Sequence, residues 1–341
     1  MTKHVADVAV IGAGALGLLS AFELVCRGRQ VTVFHDEFAC PPASWAGGGI
    51  LSPLFPWRYS DAVTRLTRHA VRDYQDLARK LEVDFEVLAQ GMLVLTDEGE
   101  IVREWAHRHG IACERHQQGW YFPDLGSVRN SRLLTSLREK LEALGVKFRA
   151  ERAVSLNEES EQQLAVVTGE ASYIYDQVVV AAGAWSAELL APWGVQLPVS
   201  PVKGQMLLWD LGSGCPETVW LGREGYFIPR SEGLCLFGST LESHFDSSLP
   251  TQEGYKTLCV RAAALMPELA NKTPLAIWAG LRPGNTRSEP YIFPVDVRQR
   301  LWVNTGHYRN GLVAAPASAR LLAQWMCGET LAFDPTPYAA P

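Results

Sequence analysis

No two of the seven cysteines in this 341-residue chain form a CxxC, and their odd number leaves at least one unpaired. Cys26, Cys40, Cys113, Cys215, Cys235, Cys259 and Cys327 are scattered singly, a pattern that fits reduced, mostly buried thiols in a cytoplasm. Basic charge is also short. Lys and Arg number 31 against 37 Asp and Glu, a net charge of −6, so the basic stripe that a nucleic-acid partner asks for is missing. A membrane span needs about 20 unbroken apolar residues. The best candidate, residues 8–25, is flanked by Asp7, interrupted by Glu23 and contains Gly12, Ala13, Gly14 and Gly17. Lys3 alone is no basic leader region. Internal repeats, low-complexity tracts and metal-ligand spacings are absent as well, so no metal, no membrane and no nucleic acid enter the reading.

What is present is ordinary globular composition, 47% hydrophobic and 20% charged, in a chain long enough for roughly two domains. Val5 to Ile11 reads as a buried strand, Gly12 to Gly17 as a turn, Leu18 to Arg27 as a helix and Gln30 to Phe34 as a second strand. Ala62 to Leu81 has helical periodicity, with Val63, Leu66, Ala70, Tyr74, Leu77 and Leu81 on one face. Asn130 or Ser131 caps a helix running to Leu144 that Gly145 ends, followed by a strand over Val146 to Val154 and another over Val178 to Ala182. Tyr226 to Arg230 and Leu234 to Ser239 alternate around Ser231-Glu232-Gly233, a hairpin signal, and Met206 to Trp209 and Tyr291 to Phe293 add strands to it. The last helix, Pro316 to Cys327, returns to the first domain. The expected fold is α/β: a Rossmann-like dinucleotide-binding domain over 1–85, 128–198 and 281–341, with an inserted antiparallel-sheet substrate domain over 86–127 and 199–280.

Gly12-Ala13-Gly14-Ala15-Leu16-Gly17 is a GxGxxG that follows a strand and opens a helix. Gly12 permits the tight turn, Gly14 lets backbone approach a pyrophosphate, and Gly17 lets helix and strand pack closely. An acidic side chain about 20 residues on normally holds the ribose. Here His35 occupies that register and Asp36 follows it; either of them makes the contact, or neither does. Ala43-Ser44-Trp45-Ala46-Gly47-Gly48-Gly49-Ile50-Leu51 supplies a hydroxyl and a glycine run whose amides suit a second phosphate or a flavin edge.

With these blocks, Pro201-Val202-Lys203-Gly204-Gln205, Tyr226-Phe227-Ile228-Pro229-Arg230, Trp278-Ala279-Gly280-Leu281-Arg282-Pro283-Gly284 and Gly306-His307-Tyr308-Arg309-Asn310-Gly311, the chain resembles the glycine oxidase branch of the D-amino acid oxidase-like flavoproteins over nearly its whole length. Residues Trp45 to Gly49 and Pro53 to Tyr59 resemble pseudomonad members. The resemblance implies non-covalent FAD and oxidation of glycine, sarcosine or small D-amino acids to imines. O2 is reduced to hydrogen peroxide, and the imine is hydrolysed or passed to thiamine thiazole synthesis. Carried onto this chain, Arg282 binds the substrate carboxylate and Tyr226 assists. Ala15, Leu16, Ala43, Ser44, Gly48, Gly49 and Ile50 touch FAD, as do His307, Tyr308, Arg309, Asn310, Gly311, Leu312 and Val313, and Val154 reaches the adenine side. The chain departs from the family pattern at Glu224, where a histidine is usual, at Ile50 and Leu241, where methionines are usual, and at Pro41-Pro42, where an arginine is usual.

The chemistry suits those residue types. Oxidising an amino acid needs a hydride acceptor, a fixed carboxylate and a neutral amine. A guanidinium fork matches a carboxylate with two hydrogen bonds, and a tyrosine adds a third. Arg282 reads as lying in a Gly-Leu-Arg-Pro-Gly turn beside buried Trp278, Leu281 and Pro283. Arg309, between glycines, serves either the flavin or a salt bridge. The expected partners are a small amino acid and O2, with a homo-oligomer left open. Three alternatives stand beside this reading: an amine oxidase or dehydrogenase for a D-amino acid or N-methyl amino acid, a flavoprotein acting on a macromolecule, and a non-catalytic flavin binder.

Overall fold

The computed structural model describes every residue except 1–2, 5–6, 37–40 and 341, with backbone alone at 3–4. Cys40 and the start of the strand expected from Val5 therefore lie outside the described residues. The chain divides into two compact units, residues 1–43, 134–201 and 282–341, and residues 44–133 and 202–281.

The first unit is built on a six-stranded sheet in the order 291–294, 301–305, 177–180, 8–11, 31–34, 147–149. All neighbours are parallel except Tyr291–Pro294, which runs against Leu301–Thr305. The central strands read Val-Ala-Val-Ile and Val-Thr-Val-Phe and are buried throughout. Unbroken apolar runs of this kind belong to parallel strands covered on both faces. One face packs Ala9, Ile11, Phe34, Val178 and Val303 against Leu156, Leu164, Val166, Tyr173 and Tyr175. These last residues belong to a four-stranded sheet in the order 3–4, 172–175, 164–168, 153–158. The helices Ala15–Val25 and Gly311–Met326 pack on each other.

The second unit centres on an eight-stranded sheet in the order 276–285, 199–210, 234–238, 226–229, 219–221, 92–94, 119–122, 114–116. The expected hairpin is there, with Tyr226 opposite Gly238 and Pro229 opposite Cys235. Its alternation divides two cores. Tyr226, Ile228 and Leu236 join Trp57, Trp105 and Phe122, while Phe227, Cys235 and Phe237 pack with Leu258 and Ala262 of the helix Gln252–Leu265.

Several expectations are corrected. Tyr291–Pro294 belongs to the six-stranded sheet, within the 281–341 span expected for the first domain, and does not extend the hairpin's sheet. Arg282 lies in the strand Ala276–Asn285 and not in a turn. That strand is the first of the eight, and an edge position tolerates the proline and glycines that read as turn signals. The helix expected over 62–81 is two, Asp61–Thr67 and Ala70–Leu81. The Thr64 and Thr67 hydroxyls bond back to the carbonyls of Ser60 and Val63, which bends and ends helices. The strand expected over 146–154 is also two, Lys147–Arg149 in one sheet and Ala153–Glu158 in another. Residues 44–85 pack with the second unit, where the sequence reading places them in the first domain: Trp57 is part of the core under the hairpin.

Candidate functional site

In the first unit the strand Val8–Ile11 ends in the glycine turn, and the helix begins at Ala15, inside the motif, with Gly14 as its cap. The glycines are enforced by contact. A Cβ on Gly12 would stand 2.3 Å from the Ala181 carbonyl oxygen, and one on Gly17 would stand 1.8 Å from the Gly12 carbonyl oxygen. Gly12 also has φ +115°, which side chains rarely adopt. The turn therefore sits where strands 8–11 and 177–180 finish side by side, the position at which doubly wound sheets bind nucleotides.

The last helix starts beside it. Leu16 Cδ2 is 3.7 Å from the Cβ position of Gly311, so the starts of two helices of 11 and 16 residues come together, and helix starts attract anions. Asn310 caps the longer helix without a side-chain bond, and its buried Oδ1 has no partner among the described residues. His307 points inward: its Nε2 lies 3.0 Å from Ser318 Oγ, and burial pulls the imidazole down to about 3, so it is neutral. Arg309 is exposed, with its guanidinium 5.4 Å from the Tyr308 ring centre. At the end of strand 31–34, the His35 amide bonds the Arg149 carbonyl at 3.0 Å and its ring meets Phe148 edge-on. Asp36 is 4.0 Å from Arg152 Nε. Val154 is exposed on the strand Ala153–Glu158. Arg282 and Pro283 are half-buried where the strand Ala276–Asn285 enters this unit; earlier along the same strand, in the second unit, Trp278 is half-buried and Leu281 buried.

The second unit gathers Ser44, Gly48, Gly49, Ile50 and Tyr226. A Cβ on Gly48 would lie 2.3 Å from Ile228 Cδ1 and 3.3 Å from Tyr226 Cε2. Tyr226 is buried and its hydroxyl is 3.7 Å from Met206 Sδ; Ile50 packs on the same core. Ala43 opens the one-turn helix Ala43–Ala46, and the loop after it is held by its carbonyls. Asn130 Nδ2 donates to the carbonyls of Ser44 (2.6 Å), Trp45 (2.7 Å) and Gly47 (2.8 Å). Trp278 Nε1 donates to Ala46 at 2.8 Å, and Arg230 Nη2 to Gly48 at 2.6 Å. The Gly49 carbonyl takes the Val128 amide at 2.8 Å. Sequence reasoning assigned none of these donors to the loop. It reads Asn130 as a helix cap and Arg230 as the end of a hairpin strand. The one signal available is an arginine closing an otherwise apolar alternating strand.

The profile of the family described as FAD dependent oxidoreductase matches residues 7–325. The chain belongs to that family. FAD-dependent oxidoreductases with high likeness to it include the glycine oxidase of Pseudomonas aeruginosa, 43% identical over 97% of this chain and 98% of that protein. The glycine oxidase of Pseudomonas putida is 40% identical over 98% of each. The crystal structure of glycine oxidase from Geobacillus kaustophilus matches with a TM-score of 0.89 at 25% identity, over 98% of both chains. FAD is the cofactor of this oxidoreductase, and the residues present fit it. The glycine turn leaves no room for side chains, the buried Asn310 oxygen has no donor among the described residues, and carbonyls of 44–49 are held by donors within the second unit.

Proposed function

We propose that this flavoenzyme oxidises the amine of glycine or another small amino acid. The observation that carries the reading is whole-length likeness to glycine oxidases, with an arginine and a tyrosine at the positions the resemblance assigns to substrate. In this reading the first unit holds FAD and the second supplies most of the substrate pocket. Arg282 grips the carboxylate with its guanidinium fork, and Tyr226 adds a hydroxyl donor. Fixing the carboxylate orients the Cα–H bond, and positioning of this kind supplies much of the barrier reduction. FAD, when bound, would supply the two-electron acceptor, with O2 as the final oxidant and hydrogen peroxide as its product. The amine reacts neutral, so no protein base is needed. The imine product adds water and releases ammonia and the oxo acid. Arg309, exposed beside Tyr308, serves the cofactor side of the site in this proposal.

The six described cysteines are free thiols, which supports a cytoplasmic setting. Among the described residues no helix is long and apolar enough to cross a membrane. Light scattering on the purified protein decides between a monomer and a homo-oligomer.

The test is spectroscopic. Purified protein should be yellow, release its flavin on acid precipitation, and bleach when glycine is added without oxygen. Failure of glycine, sarcosine and small D-amino acids all to bleach it overturns the proposal. A second reading, a larger D- or N-methyl amino acid, rests on the departure at Leu241 from the methionine that the resemblance gives as usual there. An oxygen-electrode panel of amines ranks the two.

A further inference from the structure

All six carbonyls from Ser44 to Gly49 are engaged from within the second unit. A peptide group is planar, so fixing a carbonyl also fixes the direction of the N–H on the next residue. Asn130 thereby sets the amide of Gly48 by holding the Gly47 carbonyl, and Arg230 sets the amide of Gly49 by holding the Gly48 carbonyl. Gly48 and Gly49 are buried, and among the described residues neither amide has a protein acceptor. Buried amides without acceptors are rare in folded proteins, so these two await an acceptor from a ligand.

Arg230 brings something Asn130 and Trp278 lack. It is 8% exposed, and its guanidinium donates to Ser127 Oγ (3.0 Å) and to the Gly48 carbonyl. Among the described residues no carboxylate lies within ion-pair distance of it. The nearby acid, Glu86, is taken up by Arg129 (3.0 Å), Arg132 (3.1 Å) and the Ser231 amide (3.1 Å). A buried guanidinium without a carboxylate is costly to keep. A charged donor on a carbonyl also polarises the peptide and makes its N–H a stronger donor.

We propose that Arg230 is a positioning residue of the flavin site. Bonded to the Gly48 carbonyl, it strengthens the Gly49 amide as a donor to the flavin ring and places positive charge where the flavin gains negative charge on reduction. The proposal rests on the reading that the glycine loop faces the flavin.

The experiment titrates apoprotein with FAD by flavin fluorescence and measures the flavin midpoint potential anaerobically against a reference dye. Arg230→Met should weaken FAD binding by roughly ten- to a hundredfold, the effect of losing one charged hydrogen bond, and shift the potential to more negative values. Arg230→Lys should hold the potential near that of the parent while binding FAD more weakly, because an ammonium cannot span both acceptors. Asn130→Ala, which removes a neutral donor, should weaken FAD binding without the negative shift. If Arg230→Met keeps the parent potential while Asn130→Ala weakens FAD, the loop faces the flavin and the role given to Arg230 is wrong. If both variants bind FAD with parent affinity and spectrum, the loop does not face the flavin and the underlying reading fails. Should Arg230→Met not fold, parent FAD affinity in Arg230→Lys overturns the proposal.

Discussion

Replacing Arg282 by alanine separates a carboxylate anchor from a structural arginine. Losing the charged partner of a bound carboxylate should cost about 2–5 kcal/mol in kcat/KM. The loss should be confined to amino-acid substrates, with a simple amine lacking a carboxylate oxidised at the parent rate; equal slowing of both would remove the assignment. Arg282→Lys should recover only part of the activity. Tyr226→Phe should cost less, about 0.5–1.5 kcal/mol, because the ring stays in the core with Ile228 and Met206 and only a neutral donor goes. His35 carries a different test. His35→Glu should tighten FAD binding by up to about tenfold if a ribose contact is gained, and unchanged affinity in the titration would show that the strand end does not meet the ribose. His307 ties stability to pH. Burial lowers its folded-state pKa from 6.5 to about 3, so its contribution is complete above 6.5 and is lost as pH falls from 6.5 towards about 3. Urea unfolding at pH 7 and pH 5 should differ by roughly 2 kcal/mol, and His307→Gln should flatten that slope.

Within single elements, Gly17→Ala gives a clear outcome. Its Cβ would meet the carbonyl of Gly12, so helix and strand must separate, and both FAD occupancy and melting temperature should fall together. That contact was legible beforehand, since GxGxxG between a strand and a helix states its own packing. The hairpin at Tyr226 was legible for the same reason: alternation and a glycine turn are local signals. Arg282 was not, because Pro283 and Gly284 look alike in a turn and on a sheet edge, and which one holds depends on strands far away in sequence. The break at Arg68 escaped the periodicity because Val63, Leu66 and Ala70 keep their spacing across it, while the threonine back-bonds that end the first helix leave no apolar trace. Asn130 was placed correctly at a helix start, but its amide serves carbonyls about 85 residues earlier, which spacing cannot report.

For the molecule as a whole, FAD should act as a stabilising ligand. Removing it should lower the melting temperature, and adding it back at a thousandfold excess over Kd should restore about 4 kcal/mol; a melting temperature indifferent to FAD would argue against binding to the folded state. The net charge of −6 concerns solubility and small-molecule chemistry and says little about the fold. The order of strands in the six-stranded sheet has a further consequence for time. Strand 8–11 needs 177–180 at its side, and 177–180 in turn needs 301–305. During synthesis at about 5–20 residues per second, the glycine turn leaves the ribosome roughly 15–60 s before Leu301–Thr305 does. Until Leu301–Thr305 arrives, strand 177–180, which flanks the glycine turn, keeps one edge unpaired. Nascent chains arrested before residue 301 should therefore bind chaperones and fail to retain flavin, while chains released after the final helix should do the reverse.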